Sequence, residues 1–194
     1  MRFIGVYDYT VILTYLSLIS AFGGMTLASR GMNTGAMLCL MASGICDAFD
    51  GTVARTKKNR TNDEKAFGIQ LDSLVDVVSF GLFPAFFCWC LGIKGFFGIC
   101  LLFFYCTAGV IRLAFFNVLE GKRQQSESCS NKIYRGLPIT SISIIFPLVW
   151  LLQPLLSADA FLLILQLMLG IVGFLFILDI PIKKPNIGKL LVKK

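Results

Sequence analysis

Four aspartates in one short stretch are the residues of this sequence best suited to chemistry. Asp47 and Asp50 are three residues apart, and Asp72 and Asp76 are four apart. Both spacings place the two side chains of a pair on one face of an α-helix. Apolar runs flank the stretch at 37–46 and 77–92. Carboxylates at the ends of membrane helices are costly, so their presence there indicates a functional site.

The aspartates predict a site for a hard divalent cation. Oxygen ligands suit Mg²⁺, Mn²⁺ or Ca²⁺, and neighbouring carboxylates repel one another unless cations neutralise them. The chain contains no histidine, which excludes histidine-based zinc sites and a histidine base. Gly51, Ala54 and Gly68 lie on the same helical faces and leave space for a bulky ligand. The simpler alternative is that the aspartates only cap helices or carry interfacial charge.

A hard-metal site with Arg55 beside it suits a phosphorylated ligand, because phosphoryl transfer needs mainly positioning and charge neutralisation. A carboxylate that is not fully engaged with metal can accept a proton from an attacking hydroxyl. A position at the membrane surface suits one lipidic and one water-soluble substrate. Two non-enzymatic functions stay open: a cation or proton transporter that uses the same carboxylates, and a lipid- or metal-binding scaffold without turnover.

The rest of the chain predicts an all-α integral membrane bundle of about six transmembrane helices. Hydrophobic residues make up 56% of the 194 residues, too large a share for a soluble domain of this size. The chain is expected to form one membrane domain over residues 1–194, without a cleavable signal peptide. Apolar runs of about 20 residues predict helices over 9–29, 32–55, 67–91, 96–117, 137–152 and 160–178.

The distribution of basic residues predicts the orientation of the bundle. Six helices place both chain ends on one side, together with the basic segments 55–65, 120–135 and 183–194, whereas Arg30 and Lys94 fall on the other side. The positive-inside rule makes the basic side cytoplasmic. Both termini and the carboxylates are therefore expected at the cytoplasmic face of the cell membrane. Orientation and anionic headgroups account for the net charge of +7, so no nucleic-acid partner is expected.

Two arginines and the cysteines complete the candidates. Arg112 lies in an apolar run, where an arginine needs a carboxylate, carbonyl or phosphate partner unless it snorkels to the interface. Arg135, near the start of the fifth predicted helix, has the same two interpretations. Of the seven cysteines, six lie in apolar runs and none forms a C-x-x-C pair. They predict small buried apolar side chains, not a disulfide framework or a metal cluster.

The aspartate stretch resembles the signature of the CDP-alcohol phosphatidyltransferase family. That signature is D-x-x-D-G-x-x-A-R, a spacer, and G-x-x-x-D-x-x-x-D. The spacer here, residues 56–67, has twelve residues where the family usually has eight. Because a loop grows by a few residues at a small entropic cost, the extra residues predict a longer surface loop. All eight signature residues are present as Asp47, Asp50, Gly51, Ala54, Arg55, Gly68, Asp72 and Asp76.

The resemblance implies a CDP-linked lipid donor, an alcohol acceptor, release of CMP, and Mg²⁺ or Mn²⁺ as the cofactor. It implies that Asp76 is the catalytic base, a metal ligand or both. The implied metal ligands are Asp47, Asp50, Asp72 and Asp76. The implied CDP-lipid-binding residues are Gly51, Ala54, Arg55 and Gly68.

Flanking residues resemble those members of the family that use L-serine as the acceptor. The run from Phe67 to Gly81 agrees with them, whereas Ser73 and Val77 differ from the pattern typical of glycerol-phosphate enzymes. Phe115 is a departure, because that group commonly has arginine at this position. The resemblance implies transfer from CDP-diacylglycerol to L-serine, which forms phosphatidylserine. Glycerol 3-phosphate and inositol compounds stay open as alternative acceptors.

The same resemblance supplies candidate acceptor contacts and partners. Arg112, Asn117 and Arg135 are the candidate residues for binding the acceptor or a phosphate. The implied partners are CDP-diacylglycerol, L-serine and membrane lipids, with a homodimer as the candidate assembly.

Overall fold

The computed structural model describes residues 5–57, 60–125, 133–179 and 181–183, and for residues 55, 122–125, 133–135 and 181–183 it describes the backbone alone. Within these ranges the chain is almost entirely helical. A 3₁₀ turn (Tyr9–Val11) leads into the first helix, and a π-helical segment (Val77–Leu82) joins the third helix to the fourth. The α-helices are α1 (Ile12–Ser29), α2 (Asn33–Thr56), α3 (Asn62–Asp76), α4 (Phe83–Leu91), α5 (Gly95–Gln125), α6 (Ile142–Trp150) and α7 (Ala158–Ile177).

Five helical stretches of the described chain are long and apolar enough to cross a membrane, which confirms the predicted multi-pass helical bundle. A sixth apolar stretch, Ile139–Leu155, is shorter. Its α-helical part, α6, has nine residues, with 3₁₀ turns on both sides. Pro138 precedes it, Pro147 lies inside it and Pro154 follows it. Each proline lacks the N–H of an α-helical hydrogen bond, so regular hydrogen bonding is interrupted along this stretch. The five long stretches are Tyr9–Ser29, Asn33–Ala54, Asn62–Leu91, Gly95–Gly121 and Ala158–Ile177.

Small residues bring α1 and α2 into close contact along their length. The chain reverses between them at Gly31, whose φ of 74° favours glycine. Ala21, Ala28 and Ala36 are buried in the contact. A methyl group added at Gly24 would overlap the side chains of Phe83 and Cys39. Small side chains are how helices approach closely in lipid, where no hydrophobic effect drives them together.

The predicted longer loop between the second and third helices is wrong for most of its length. Thr56 ends α2, and α3 already begins at Asn62, so the whole second half of the spacer is helical. A capping box starts α3: the Thr61 side chain accepts from the Glu64 amide, and the Glu64 side chain accepts from the Thr61 amide. These reciprocal bonds satisfy two amides that a helix start would leave unpaired.

Aromatic side chains fill the centre of the bundle. Phe80, Phe83 and Phe87 are fully buried. The centre of the Phe87 ring lies 5.3 Å from the centre of the Phe146 ring on α6. Helices α5 and α7 pack side by side, with Tyr105 against Phe176. Two three-residue strands, β1 (Ile133–Arg135) and β2 (Pro181–Lys183), pair antiparallel beyond the ends of α5 and α7.

Candidate active site

Helices α2 and α3 carry the four aspartates to the same end of the bundle. Asp47 and Asp50 lie in the last three turns of α2, and Asp72 and Asp76 lie in the last two turns of α3. One carboxylate oxygen from each of Asp47, Asp50 and Asp72 lies within 4.8 Å of the other two. This spread is close to the separation of oxygens around one divalent cation, so the donor set fits a hard metal ion.

Asp76 lies beside this three-carboxylate group, not within it. Its side chain is buried, with 7% of its surface exposed, and its carboxyl group lies against that of Asp47. Asp76 is also the last residue of α3 before the π-helical segment. The structure therefore gives one aspartate of the four a separate position, at the inner wall of the site.

A hydroxyl on α1 contacts the cluster. Thr14 is buried, and its Oγ1 donates to Asp50 Oδ2 at 3.3 Å. One turn further into the bundle, Ser17 and Ser43 exchange hydrogen bonds between α1 and α2, and their hydroxyl oxygens are 2.7 Å apart. The bond from Thr14 to Asp50 is of the kind that orients a carboxylate for metal binding. Sequence analysis missed Thr14, because nothing in the motif links α1 to Asp50.

The π-helical segment sets the direction of the chain just beyond Asp76. Pro84 has no N–H to offer the carbonyl of Phe80, as the fourth residue along an α-helix would. Tyr105 on α5 supplies a donor instead: its buried hydroxyl lies 2.6 Å from the Phe80 carbonyl oxygen. The neighbouring Cys106 Sγ donates to the Gly81 carbonyl at 3.5 Å. Interruptions of this type recur at functional sites, and here side chains of α5 support one.

The carboxylates lie between two cavities, which we call the small cavity and the large cavity. The small cavity, about 220 Å³, lies towards α1. The large cavity, about 520 Å³, lies towards α5 and the start of the 3₁₀ turn before α6. The small cavity is lined by residues that include Thr14, Gly51, Ala54, Arg60, Lys65 and Gly68. The large cavity is lined by residues that include Asp76, Ser73, Arg112, Asn117, Glu120 and Thr140. Asp50 and Asp72 border both.

Hydrogen bonds fix Asn117 at the wall of the large cavity. Ser73 Oγ donates to Asn117 Oδ1 at 2.8 Å, and Asn117 Nδ2 donates to Gln70 Oε1 at 3.3 Å. These bonds join α3 to α5 directly beside Asp72. Ser73, which the sequence analysis used only to distinguish acceptor classes, therefore has a structural contact with a candidate acceptor residue.

Arg112 is buried inside the bundle and lines the large cavity. Its guanidinium lies over the Phe116 ring, 4.6 Å from the ring centre, and Nη1 donates to the Phe176 carbonyl at 3.5 Å. A methyl group at Gly136 would approach Nη1 to 2.9 Å, so this glycine leaves the arginine its space. Its exposed fraction of 7% and its bond to the Phe176 carbonyl favour a buried arginine with a carbonyl partner over one that snorkels to the interface. Phe115, the departure noted above, lies outside this cavity with 46% of its surface exposed.

Three of the predicted donor residues, Gly51, Ala54 and Gly68, line the small cavity, and one of them differs from the other two. Gly51 and Ala54 line the small cavity, as space for a ligand requires. At Gly68 the space that a side chain would occupy is already taken by Arg60, because an added methyl group would lie 2.6 Å from Arg60 Nη2. The side chains of Arg55 and Arg135 lie outside the described residues, and so does Cys129. Among the described cysteines, all six are free thiols.

Ion pairs hold the entry of α1 to the connection between α2 and α3. Lys57 Nζ donates to Asp8 Oδ2 at 2.8 Å and to Glu64 Oε1 at 3.1 Å. Hydrogen bonds from Lys57 and then Thr10 lower the pKa of Asp8 to about 2. The two carboxylates raise the pKa of Lys57. These side chains are exposed enough for solvent to screen them, so each pair contributes only modestly to the stability of the fold.

Comparison with known proteins adds a family and several relatives. A family model described as CDP-alcohol phosphatidyltransferase matches residues 9–172. A CDP-diacylglycerol–serine O-phosphatidyltransferase of Saccharomyces cerevisiae is 34% identical over 119 residues, which is 60% of this chain and 42% of that protein. An archaetidylserine synthase of Methanothermobacter thermautotrophicus is 31% identical over 129 residues, 66% of this chain and 51% of that protein.

A CDP-diacylglycerol–serine O-phosphatidyltransferase of Helicobacter pylori is similar over a longer stretch. It is 31% identical over 147 residues, 75% of this chain and 56% of that protein. The chain thus spans about half the length of the curated relatives that it matches.

Proposed function

Because the chain belongs to the CDP-alcohol phosphatidyltransferase family, we propose that it transfers the phosphatidyl group of CDP-diacylglycerol to L-serine and releases CMP. The observation that carries the proposal is the three-carboxylate group of Asp47, Asp50 and Asp72, which lies between two cavities. A transfer reaction needs space for a donor and an acceptor on either side of one reacting phosphorus. We assign the small cavity to the nucleotide and the large cavity to the acceptor.

The three grouped aspartates are the proposed ligands of a divalent cation, Mg²⁺ or Mn²⁺. When bound, such a cation neutralises the diphosphate and helps to fix its geometry. Thr14 orients Asp50 for this role through its hydrogen bond. Asp76 is the proposed base, since it is separate from the group, borders the large cavity and lies beside Asp47.

The proposed step moves one bond and one proton. The serine hydroxyl oxygen bonds to the phosphatidyl phosphorus, and the bond from that phosphorus to the bridging oxygen breaks, so CMP leaves. The hydroxyl proton passes to Asp76, which must be ionised to accept it. Gly51 and Ala54 leave room for the nucleotide in the small cavity. Arg55 and Gly68 complete the proposed donor contacts.

L-Serine is the proposed acceptor because the three relatives described above are serine or archaetidylserine enzymes. Serine carries a carboxylate, an ammonium and a hydroxyl. Arg112 offers a buried cation at the wall of the large cavity, and Asn117 offers an amide there. Arg135 is the third proposed contact. Glycerol 3-phosphate would also require cations, so charge by itself does not decide between the two acceptors.

A direct assay of CMP release tests the proposal. Nanodiscs with the purified protein receive CDP-diacylglycerol and Mg²⁺ or Mn²⁺, with serine, glycerol 3-phosphate, inositol, inositol phosphate or choline as the acceptor. We expect CMP release that depends on serine, with phosphatidylserine as the lipid product. Empty nanodiscs are the control. Selective use of glycerol 3-phosphate would overturn the acceptor, and absence of CMP release with every acceptor would overturn the enzymatic function.

The transporter alternative lacks a supporting observation. A path for ions across the bundle requires polar groups at both ends. Among the acidic residues that the structure describes, only Asp159, in the first turn of α7, lies at the end opposite the carboxylates. Ion flux in sealed vesicles would test this alternative directly.

We also propose the membrane, orientation and assembly. The chain is a single membrane domain over residues 1–194 in the cell membrane, with both termini and the carboxylates on the cytoplasmic side. The support is the excess of Lys and Arg in the segments flanking the carboxylates. A homodimer stays a prediction, to be tested by the mass of the purified protein in detergent.

A further inference from the structure

The small cavity has a cationic wall that the family signature does not provide. Arg60 and Lys65 line it, together with Asp50 and Asp72. Both cations come from the spacer between Arg55 and Gly68, which is four residues longer than the family usually has. Arg60 directly precedes the Thr61 N-cap of α3, and Lys65 lies near the start of that helix.

Arg60 is held in place without using all of its donors. Its Nη2 donates to the Glu64 carbonyl at 3.1 Å. Its Nε is buried and has no hydrogen-bond partner among the residues that the structure describes. A buried N–H without an acceptor is costly, so this atom is suited to an oxygen that a ligand brings. Lys65 is exposed at the edge of the same cavity.

Gly68 makes this position of Arg60 feasible. The guanidinium lies directly against the Cα of Gly68, where a methyl group would come within 2.6 Å of Nη2. Any side chain at position 68 would push the guanidinium away from α3. The space at Gly68 therefore serves Arg60 in the structure.

We infer that Arg60, with Lys65, binds phosphate oxygens of the nucleotide donor, and that Gly68 contributes by admitting the Arg60 guanidinium. The inference rests on the proposed function for the identity of the donor. Nε and Nη2 form one edge of the guanidinium, and such an edge matches two phosphate oxygens. A diphosphate beside the Asp50 and Asp72 carboxylates also needs positive charge on its other side. Lys65 adds a point charge at the cavity entrance.

Binding of CMP and of CDP-diacylglycerol to the purified protein tests this without any turnover. The protein is placed in nanodiscs of zwitterionic lipid, so that anionic headgroups do not compete for Arg60. We expect Arg60→Ala to weaken binding of both ligands about tenfold or more, as for the loss of a hydrogen bond to a charged group. Arg60→Lys keeps the charge without the planar edge, and should recover part of the loss.

Lys57→Gln is the matched control. Lys57 lies in the same connection, but its charge is already paired with Asp8 and Glu64. Its removal lowers the net charge by the same amount as the loss of Arg60, and should change nucleotide affinity by less than about twofold. An equal loss in Lys57→Gln and Arg60→Ala would mean that general electrostatic attraction explains the effect, and would overturn the inference.

A double-substitution cycle tests the role of Gly68. Gly68→Ala should weaken nucleotide binding in the otherwise unchanged chain, because the methyl group displaces the guanidinium. In the Arg60→Ala background the same substitution should have little further effect. Fully additive losses would overturn the claim that Gly68 acts through Arg60, and unchanged affinity in Arg60→Ala would overturn the inference as a whole.

The outcome is separable from that of the proposed function. A protein that binds CMP through Arg60 but releases no CMP with any acceptor would retain this inference and lose the proposed activity. A protein that turns over with serine but binds nucleotide equally well without Arg60 would do the reverse.

Discussion

Replacing Asp76 by asparagine keeps the size of the side chain and one of its oxygens but removes the group proposed to take the hydroxyl proton. A general base typically contributes a factor of about a hundred to ten thousand in rate. We expect turnover with saturating serine to fall at least about a hundredfold, which corresponds to about 2.7 kcal/mol of transition-state stabilisation. Binding of CDP-diacylglycerol should persist, since the three grouped carboxylates are intact.

The structure also predicts how the same variant affects stability. Asp76 is buried against Asp47, and two neighbouring carboxylates repel. Asp76→Asn removes that repulsion, so without metal the variant should unfold at a temperature no lower than the unchanged protein. A loss of rate with unaltered or improved stability separates a chemical role from a folding defect.

CMP release and thermal unfolding in detergent are the two measurements. Asp63→Asn is the matched control, because Asp63 is an exposed acid in the first turn of the same helix, and it should keep full activity. Turnover of Asp76→Asn within about tenfold of the unchanged protein would refute the assignment of the base. Asp50→Ala, in contrast, should weaken metal and donor binding together.

Four further predictions follow from the site, its supports and its orientation. Thorough chelation should abolish CMP release, and Mg²⁺ or Mn²⁺ should restore it; undiminished activity after chelation would exclude a metal-dependent reaction. Tyr105→Phe leaves the Phe80 carbonyl without the hydroxyl donor and should lower the free energy of unfolding by about 1–3 kcal/mol. The measurement is denaturation in detergent, with Tyr15→Phe, at a half-buried position, as the control. Asp8 has a folded-state pKa of about 2, below its ordinary value. Its ion pair with Lys57 therefore contributes to the stability of the fold above about pH 4, and this contribution is lost as the pH falls through 2. Asp8→Asn should remove this part of the pH dependence of thermal unfolding. If the cytoplasmic orientation is correct, Cys129 should react with an impermeant thiol reagent in inverted vesicles but not in intact cells, with Cys129→Ser as the control.

The aspartates and the helices that carry them were predictable because each depends on local sequence. Spacings of three and four residues identify helical faces, and apolar runs identify spans. The start of α3 was also present in the sequence, since Thr61 and Glu64 have the spacing of a capping box. Reading the spacer as a loop overlooked that signal. The short α6 likewise agrees with the three prolines in and around it, Pro138, Pro147 and Pro154.

Other parts of the site depend on contacts between distant segments. Thr14 contacts Asp50 across 36 positions of sequence, and no pattern within α1 distinguishes it from other threonines. Arg60 lies over Gly68, eight positions further along the chain, and composition does not specify that contact. Arg112 was a candidate from its apolar surroundings, but only the packing of α5 against α7 shows that it is buried.

The π-helical segment shows how one residue outside the signature can affect the site geometry. Asp72 and Asp76 have α-helical spacing, so the sequence predicts a continuous helix through them and beyond. Pro84 removes an amide from that helix eight residues after Asp76, and the segment between them adopts a wider turn. Tyr105 then supplies the hydrogen bond that the proline cannot, from a helix that begins after α4 ends. The direction of α3 at Asp76 therefore depends on the packing of α5, so substitutions at Tyr105 should reduce turnover more than they weaken donor binding. A Tyr105→Phe variant that loses stability but keeps its full turnover would confine Tyr105 to a purely structural role.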